Sequence, residues 1–263
     1  YQKLINLGIK IHIGIALIIL GLIIVVYLFL IPWLAEKSVV LIPQDYDVEI
    51  GNTFYNEYLN YNTIDSIKSK ELNHFASQLE LKNTNEVKFI VVESETVNAF
   101  ALPNGNIIVF TGIIDKMNDY DELVGLIGHE VSHVNNRHSM KMMCRNLSGY
   151  LFISVILSDV NGIMAVIGDN IHNLQSLSYS RHFEREADIE GLNLMIQNNT
   201  DPNGMINLFK RLQSERDILL PEFLSSHPIT EDRLNYIDKL IKSSSYKVDE
   251  NKTLKDLFVE IKK

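Results

Sequence analysis

The stretch GLIGHEVSHVNNRH, residues 125–138, sets His129 and His133 four apart with Glu130 directly after the first. Around them Leu123, Val124, Leu126, Ile127, Val131 and Val134 recur at helical period. At about 100° per residue from His129, His133 falls near about 40° and Glu130 near about 100°, inside the apolar face. An unpartnered carboxylate in such a face costs several kcal/mol, so the pattern demands a compensator. A divalent cation is one. Imidazoles at i and i+4 stand one turn apart on the same side and can share a tetrahedral zinc, one ion per chain. Glu130 then faces the open position as a general base for a water molecule. On the other flank Gly125, Gly128 and Ser132 are small enough for a neighbouring element to come close.

Such a motif occurs in many unrelated helices, so a third ligand decides its meaning. The stretch SRHFEREADIEG (180–191) offers two acid pairs at helical spacing, Glu184/Asp188 and Glu186/Glu190. On a wheel Glu184 and Asp188 lie beside Leu192 and Met195, on the packed side, whereas Glu186 and Glu190 fall with Asn193 on the solvent side. Glu184 is therefore the expected ligand, and Asp188 the acceptor that fixes the free N–H of a ligand histidine. Ala187 and Gly191 allow this helix to approach the first. A three-histidine arrangement would need a glycine at position 136 and a histidine at position 139; the chain has Asn136 and Ser139. His138 lies about 140° round a continuous helix from His133, the place of a structural hydrogen-bonder.

Other segments must position these groups. VKFIVVESETVNAFALPNGNIIVFTGII (87–114) is rich in β-branched and aromatic residues and reads as two or three short antiparallel strands. Asn118 or Asp119 can cap the motif helix, and Asp201-Pro202 opens another through MINLFKRLQ. NTFYNEYLNYN and TIDSIKSKELNHFASQLEL carry helix-period apolar positions, whereas SVVLIPQDYDVEIG (38–51) reads as an extended linker. Mostly helices with one small antiparallel sheet means α+β. The acidic balance, 24 Lys+Arg against 33 Asp+Glu, argues against a nucleic-acid partner. One cysteine, Cys144, excludes internal disulfides and a thiolate-rich zinc cage.

Before all of this runs IHIGIALIILGLIIVVYLFLIPWLA (11–35), without a charge and long enough as a helix to span a bilayer core of about 30 Å. It exceeds a signal peptide's apolar region, and Trp33 stands where a cleavage site needs a small residue. Pro32 is placed to break the helix. Lys3 and Lys10 precede the span, so the N-terminus is expected in the cytoplasm and the remainder outside it. The expected organisation is a cytoplasmic segment 1–10, a transmembrane helix 11–35 in the lipid bilayer, a linker 36–45 and a zinc-binding domain 46–263. A second apolar region, 150–168, is broken by Ser158, Asp159, Asn161 and Gly162 and reads as a helical hairpin packed on its own domain.

NAFALPNGNIIVFTG (98–112), HEVSHVNNRH (129–138), YSRHFEREAD (179–188) with Gly191, and SHPITEDRL (226–234) together resemble the membrane-associated zinc metallopeptidases of family forty-eight. That group includes CAAX prenyl proteases, HtpX-like and BepA-like proteases. The resemblance implies a mainly helical gluzincin-type domain, zinc on His129, His133 and Glu184, Glu130 as general base and Asp188 behind a ligand. It implies peptide-bond hydrolysis in membrane or envelope protein quality control. One anchor followed by one domain is more similar to the BepA-like and mitochondrial members than to the prenyl proteases. An extended protein substrate is expected to align on NIIVFT as an edge strand. An oxyanion needs a donor, and His227 before Pro228 is the first candidate, or else it occupies the metal's free position; Arg181 and Tyr179 are alternatives. Arg233 is expected to anchor the His-Pro loop. The rival reading is a zinc-bound but proteolytically quiet assembly factor.

Overall fold

The computed structural model describes residues 2–83, 86–150, 177–214 and 222–263. It divides into two compact units, residues 1–42 with 143–169, and residues 43–142 with 170–263. In the first, helix α1 (Gln2–Val25) continues through a π-helical turn, Val26–Leu30, into α2 (Ile31–Ser38) and a 3₁₀ turn, Val39–Leu41. Pro32 does not break this rod. A proline lacks an N–H and crowds the carbonyl four residues back, and the wider π turn just before it absorbs the misfit. Gly8–Leu41 contains an apolar stretch with a mean hydropathy of 3.2, none of it buried, as suits a membrane span. Within this unit Arg145 reaches the buried Glu36 carboxylate at 2.7 Å. Beyond Tyr150 the expected apolar hairpin lies outside the described residues.

The second unit opens with α3 (Gln44–Leu59), so residues 44–51, expected to be extended, are helical. Pro43 precedes the helix, Asp45 and Asp47 lie in its first turn, and Ile50, Phe54 and Tyr58 bury one face. Next come α4 (Ser66–Ser77), capped by Asp65, and three strands, β1 (Lys88–Val92), β2 (Ala99–Ala101) and β3 (Asn106–Phe110). The order is β1-β3-β2, with β1 parallel and β2 antiparallel to β3. The sheet is therefore mixed, not antiparallel throughout. Residues 93–98 carry the chain past the site of β3, and a hairpin returns β3 between its neighbours. Gly105 at φ 88 makes that turn possible, with Gly105 N–H bonded to Leu102 O.

This order corrects a second expectation. NIIVFT is the central strand, paired on both sides, and the edges are β1 and β2. On β1 the outward groups are taken up: Asn73 bonds Phe89 through both its N–H and its carbonyl oxygen, and Ser69 Oγ accepts from Val91 N–H. On β2, Asn98 O and Leu102 N face β3, so Ala99 and Ala101 turn their peptide groups outward. They are met by side chains. Asn98 Oδ1 accepts from Ala99 N–H and Ser139 Oγ donates to Ala101 O.

After α5 (Thr111–Lys116) follow α6 (Tyr120–Asn135) and α7 (His138–Asn146). The remaining described helices are α8 (Arg181–Gln197), α9 (Asn203–Ser214), α10 (Glu222–Ser226), α11 (Glu231–Ser243) and α12 (Lys252–Ile261). Asp119 caps α6 through Asp121 N–H, and every residue from Glu122 to Val134 is buried. The helix crosses α8 at two glycines. A Cβ built on Gly128 would stand 2.9 Å from Gly191 Cα, and one on Gly191 would stand 2.9 Å from His129 N. Small residues on both helices were expected to allow this approach.

Candidate metal centre

The glycine crossing sets the last two turns of α6 against the first two of α8. Donor atoms of His129, His133, Glu184 and His227, all buried, lie within 4.8 Å of one another. His133 Nε2 is 3.1 Å from His129 Nε2 and 3.6 Å from Glu184 Oε1. His227 Nδ1 lies 3.0 Å from Glu184 Oε1 and 3.2 Å from His129 Nε2. Ligands about 2.0–2.1 Å from a tetrahedral zinc stand roughly 3.3 Å from each other, so these separations are of the right size.

The chemistry of the donors decides whether a cation fits. His129 Nδ1 faces Asp188 Oδ1 at 3.1 Å, so the ring's proton belongs there and Nε2 presents a lone pair. His133 Nε2 points at the first, and with its own proton on Nδ1, beside His138 Nδ1 at 2.9 Å, it presents a second lone pair. Two lone pairs 3.1 Å apart beside a carboxylate repel without a positive centre between them. Both Glu130 oxygens and His227 Nε2 are also buried without a hydrogen-bond partner. Nitrogen and carboxylate donors in this number suit zinc. The residues fit the ion.

Glu130 comes from the same helix as the two histidines and is wholly buried, its Oε1 3.7 Å from His227 Nε2. Burial pushes its carboxyl up to about 7, against the pull of His129. That range suits a group that must take up and return a proton near neutrality. Glu184 behaves oppositely. Burial works against its ionisation, but His227 and Arg233 hold it below the ordinary value. Two neighbouring glutamates are thus separated in proton affinity by their surroundings.

Behind the donors lies a network that sequence reasoning only partly anticipated. Arg233 does anchor the His-Pro loop, donating to Pro228 O at 3.1 Å. It also forks onto both Asp188 oxygens, at 2.8 and 2.7 Å, and reaches Glu184 Oε2 at 2.5 Å. Tyr236 adds its hydroxyl to Asp188. The missed signal was the alignment of Arg233 with Ile237 and Ile241, a charge on the buried stripe of α11 that needs acids opposite. Glu186 and Glu190 are not merely solvated. Glu190 accepts from Ser132 Oγ at 2.6 Å and Asn136 Nδ2 at 2.7 Å, and Glu186 meets His138 Nε2 at 3.1 Å.

His227 and the alternative oxyanion donors fall in different places. His227 occupies the fourth corner of the donor set, its ring stacked on Phe223 at 4.5 Å. Tyr179 stacks on His133 at 4.0 Å, and its hydroxyl pairs with Ser139 Oγ at 2.9 Å. Arg181 is exposed at the first position of α8.

With the geometry in place, the chain can be set beside known proteins. Residues 66–241 match the family described as Peptidase family M48. The bovine mitochondrial metalloendopeptidase OMA1 is 30% identical over 178 residues, 62% of this chain and 34% of that protein. OMA1 of Schizosaccharomyces pombe is 32% identical over 161 residues, 60% of this chain and 47% of its own length. The metalloprotease YcaL of Escherichia coli is 29% identical over 168 residues, covering 61% and 65%. The chain thus spans between about a third and a half of the two OMA1 proteins.

Proposed function

The chain belongs to peptidase family M48, and from that premise we propose that it is a membrane-anchored zinc endopeptidase cleaving protein substrates in membrane or envelope quality control. The observation that carries the reading is the convergence of His129 Nε2, His133 Nε2 and a Glu184 oxygen around one point, with Glu130 buried beside it. Names of the similar proteins agree: several are metalloendopeptidases, and one, from Yersinia pestis, is a beta-barrel assembly-enhancing protease.

In this reading His129, His133 and Glu184 hold the ion. When bound, zinc acidifies a water molecule and polarises the scissile carbonyl. Glu130 takes the water's proton and later delivers it to the departing amine. Asp188 keeps the proton of His129 on Nδ1, and Arg233 offsets the charge of both Asp188 and Glu184. His227 keeps the fourth corner and gives it up when substrate arrives. An extended substrate adds to the outer edge of β2 through Ala99 O and Ala101 N–H, the outward groups that the Asn98 and Ser139 side chains do not take. Support for this comes from Asn98, whose buried Nδ2 has no partner and can donate to a substrate carbonyl. The apolar span anchors the chain with its N-terminus in the cytoplasm.

The deciding experiment compares wild type, Glu130→Gln and His227→Ala in zinc content and cleavage of an unfolded protein. Glu130→Gln is expected to keep one zinc per chain and lose at least ~10³-fold in kcat, since base and proton donor go together. Equal cleavage by wild type and Glu130→Gln would favour the quiet assembly factor. His227→Ala is expected to cleave faster; slower cleavage at unchanged zinc content would make His227 the oxyanion donor.

A further inference from the structure

The side of the His133 ring turned away from the proposed ion has a partner the proposed mechanism does not use. His133 Nδ1 lies 2.9 Å from His138 Nδ1, and His138 Nε2 lies 3.1 Å from Glu186 Oε2. We infer that His138 and Glu186 are positioning residues forming a relay, in which His133 Nδ1–H donates to His138 Nδ1 and His138 Nε2–H donates to Glu186. The inference rests on the metal-centre reading, because it is ligation through Nε2 that leaves the His133 proton on Nδ1.

The direction of each bond then follows. A nitrogen that receives a hydrogen bond carries no proton, so the proton of neutral His138 sits on Nε2 and needs an acceptor. Glu186 is that acceptor, and it is 35% exposed while His138 is fully buried, so the relay runs from the surface to the ligand. The ring of His138 has little freedom. Phe183 stacks on it at 4.3 Å and 20°, and His133 meets it edge-on at 4.9 Å. The two ligand histidines are therefore held differently, His129 by a carboxylate directly and His133 by a neutral ring with a carboxylate behind it.

A continuous helix would have carried His138 about 140° away from His133. The helix instead ends at Asn135, and Arg137 takes φ 53, a left-handed conformation unfavourable for a side chain of this size. Asp47 holds it there, accepting from Nε and Nη2 at 2.6 Å each. The turn restarts the chain as α7 with His138 at its first position, directly against His133. The strained turn at Arg137 thus brings one ring to the other.

The test uses the full chain in detergent, loaded with zinc, and reads two quantities: the rate of zinc transfer to a chromogenic chelator, and kcat and KM for an unfolded protein. The variants are His138→Phe, which keeps the ring stack but loses the acceptor, His138→Asn, whose Oδ1 restores an acceptor near the position of Nδ1, and Glu186→Leu. Loss of a group behind a metal ligand typically changes affinity or activity about 10–100-fold. His138→Phe is expected to release zinc at least ~10-fold faster and to lower kcat with KM unchanged, with His138→Asn recovering most of the loss and Glu186→Leu falling between. Wild-type zinc release from His138→Phe overturns the relay, as does an Asn variant no better than the Phe variant when both zinc-free proteins melt like wild type. Should His138→Phe fail to fold, Glu186→Leu decides, and wild-type release from it overturns the relay. A wild-type chain that binds no zinc overturns the metal-centre reading and this inference with it.

Discussion

At the scale of single residues, burial sets the proton affinities, and its effects differ with the partners that each group finds. Asp188 and Glu184 are buried but faced by Arg233, which holds both ionised; Glu130 is buried without such a partner and rises. Asp121, in the first turn of α6, is a further case. Burial pushes its carboxyl up to about 7, outweighing the Asp201 N–H that bonds it at 3.0 Å. The native chain then keeps a proton that the unfolded chain, at about 3.9, has released, so stability falls as pH rises between those values. Asp121→Asn keeps the acceptor for Asp201 and is expected to raise Tm, by an amount absent near about pH 4, growing through the window and full above about pH 7. A Tm difference of the opposite slope in thermal melts would mean that Asp121 is ionised and favourable in the fold. Residue types made much of this level readable in advance. His129, His133, Glu130, Glu184 and Asp188 stand at helical spacing that reveals which side of the helix each occupies. Glu186 lies on the partly exposed side that the wheel gives it, but a wheel cannot know that His138 waits there.

At the scale of elements, the centre depends on two helices approaching more closely than side chains normally permit. Gly128 and Gly191 face each other where α6 and α8 cross, one residue before His129 and three after Asp188. A methyl on Gly128 has backbone, not a movable side chain, in its way. Gly128→Ala is expected to destabilise the zinc-free domain by about 1–3 kcal/mol in urea melts and to weaken zinc retention, because the helices carry the ligands apart together. Unchanged stability and zinc retention would mean that the crossing relaxes without moving the donors. The sheet illustrates what local pattern leaves open. Strand composition at 88–92, 99–101 and 106–110 was legible, but β-branched residues do not state a partner. Only the crossing of residues 93–98 makes β1 and β3 parallel and leaves β2 as the substrate-facing edge of the proposal. Likewise the extended look of 38–51 hid a helix, whose burial of Ile50, Phe54 and Tyr58 depends on surfaces distant in sequence.

At the scale of the whole molecule, the apolar span 11–35, within the helix Gly8–Leu41, precedes a domain with its own core. Lys3 and Lys10 stand before residues 11–35, and by the positive-inside rule we propose that the domain lies on the face opposite the cytoplasm. The expected outcome in sealed membranes that enclose the cytoplasmic side is digestion of the domain by added protease without permeabilisation. Protection until detergent is added would reverse the orientation, leaving the metal chemistry untouched. Helix period, apolar length and residue chemistry are properties of a segment, so the sequence by itself determined the apolar span, the two helices that carry the proposed ligands and which side chains could bind a cation. Tertiary structure decided the rest: the mixed sheet, the placement of His227 at the fourth corner, the double grip of Arg233 and the turn that returns His138 to His133. Those depend on contacts between segments far apart in the chain, where the energy lies in the match of two surfaces and neither surface alone records it.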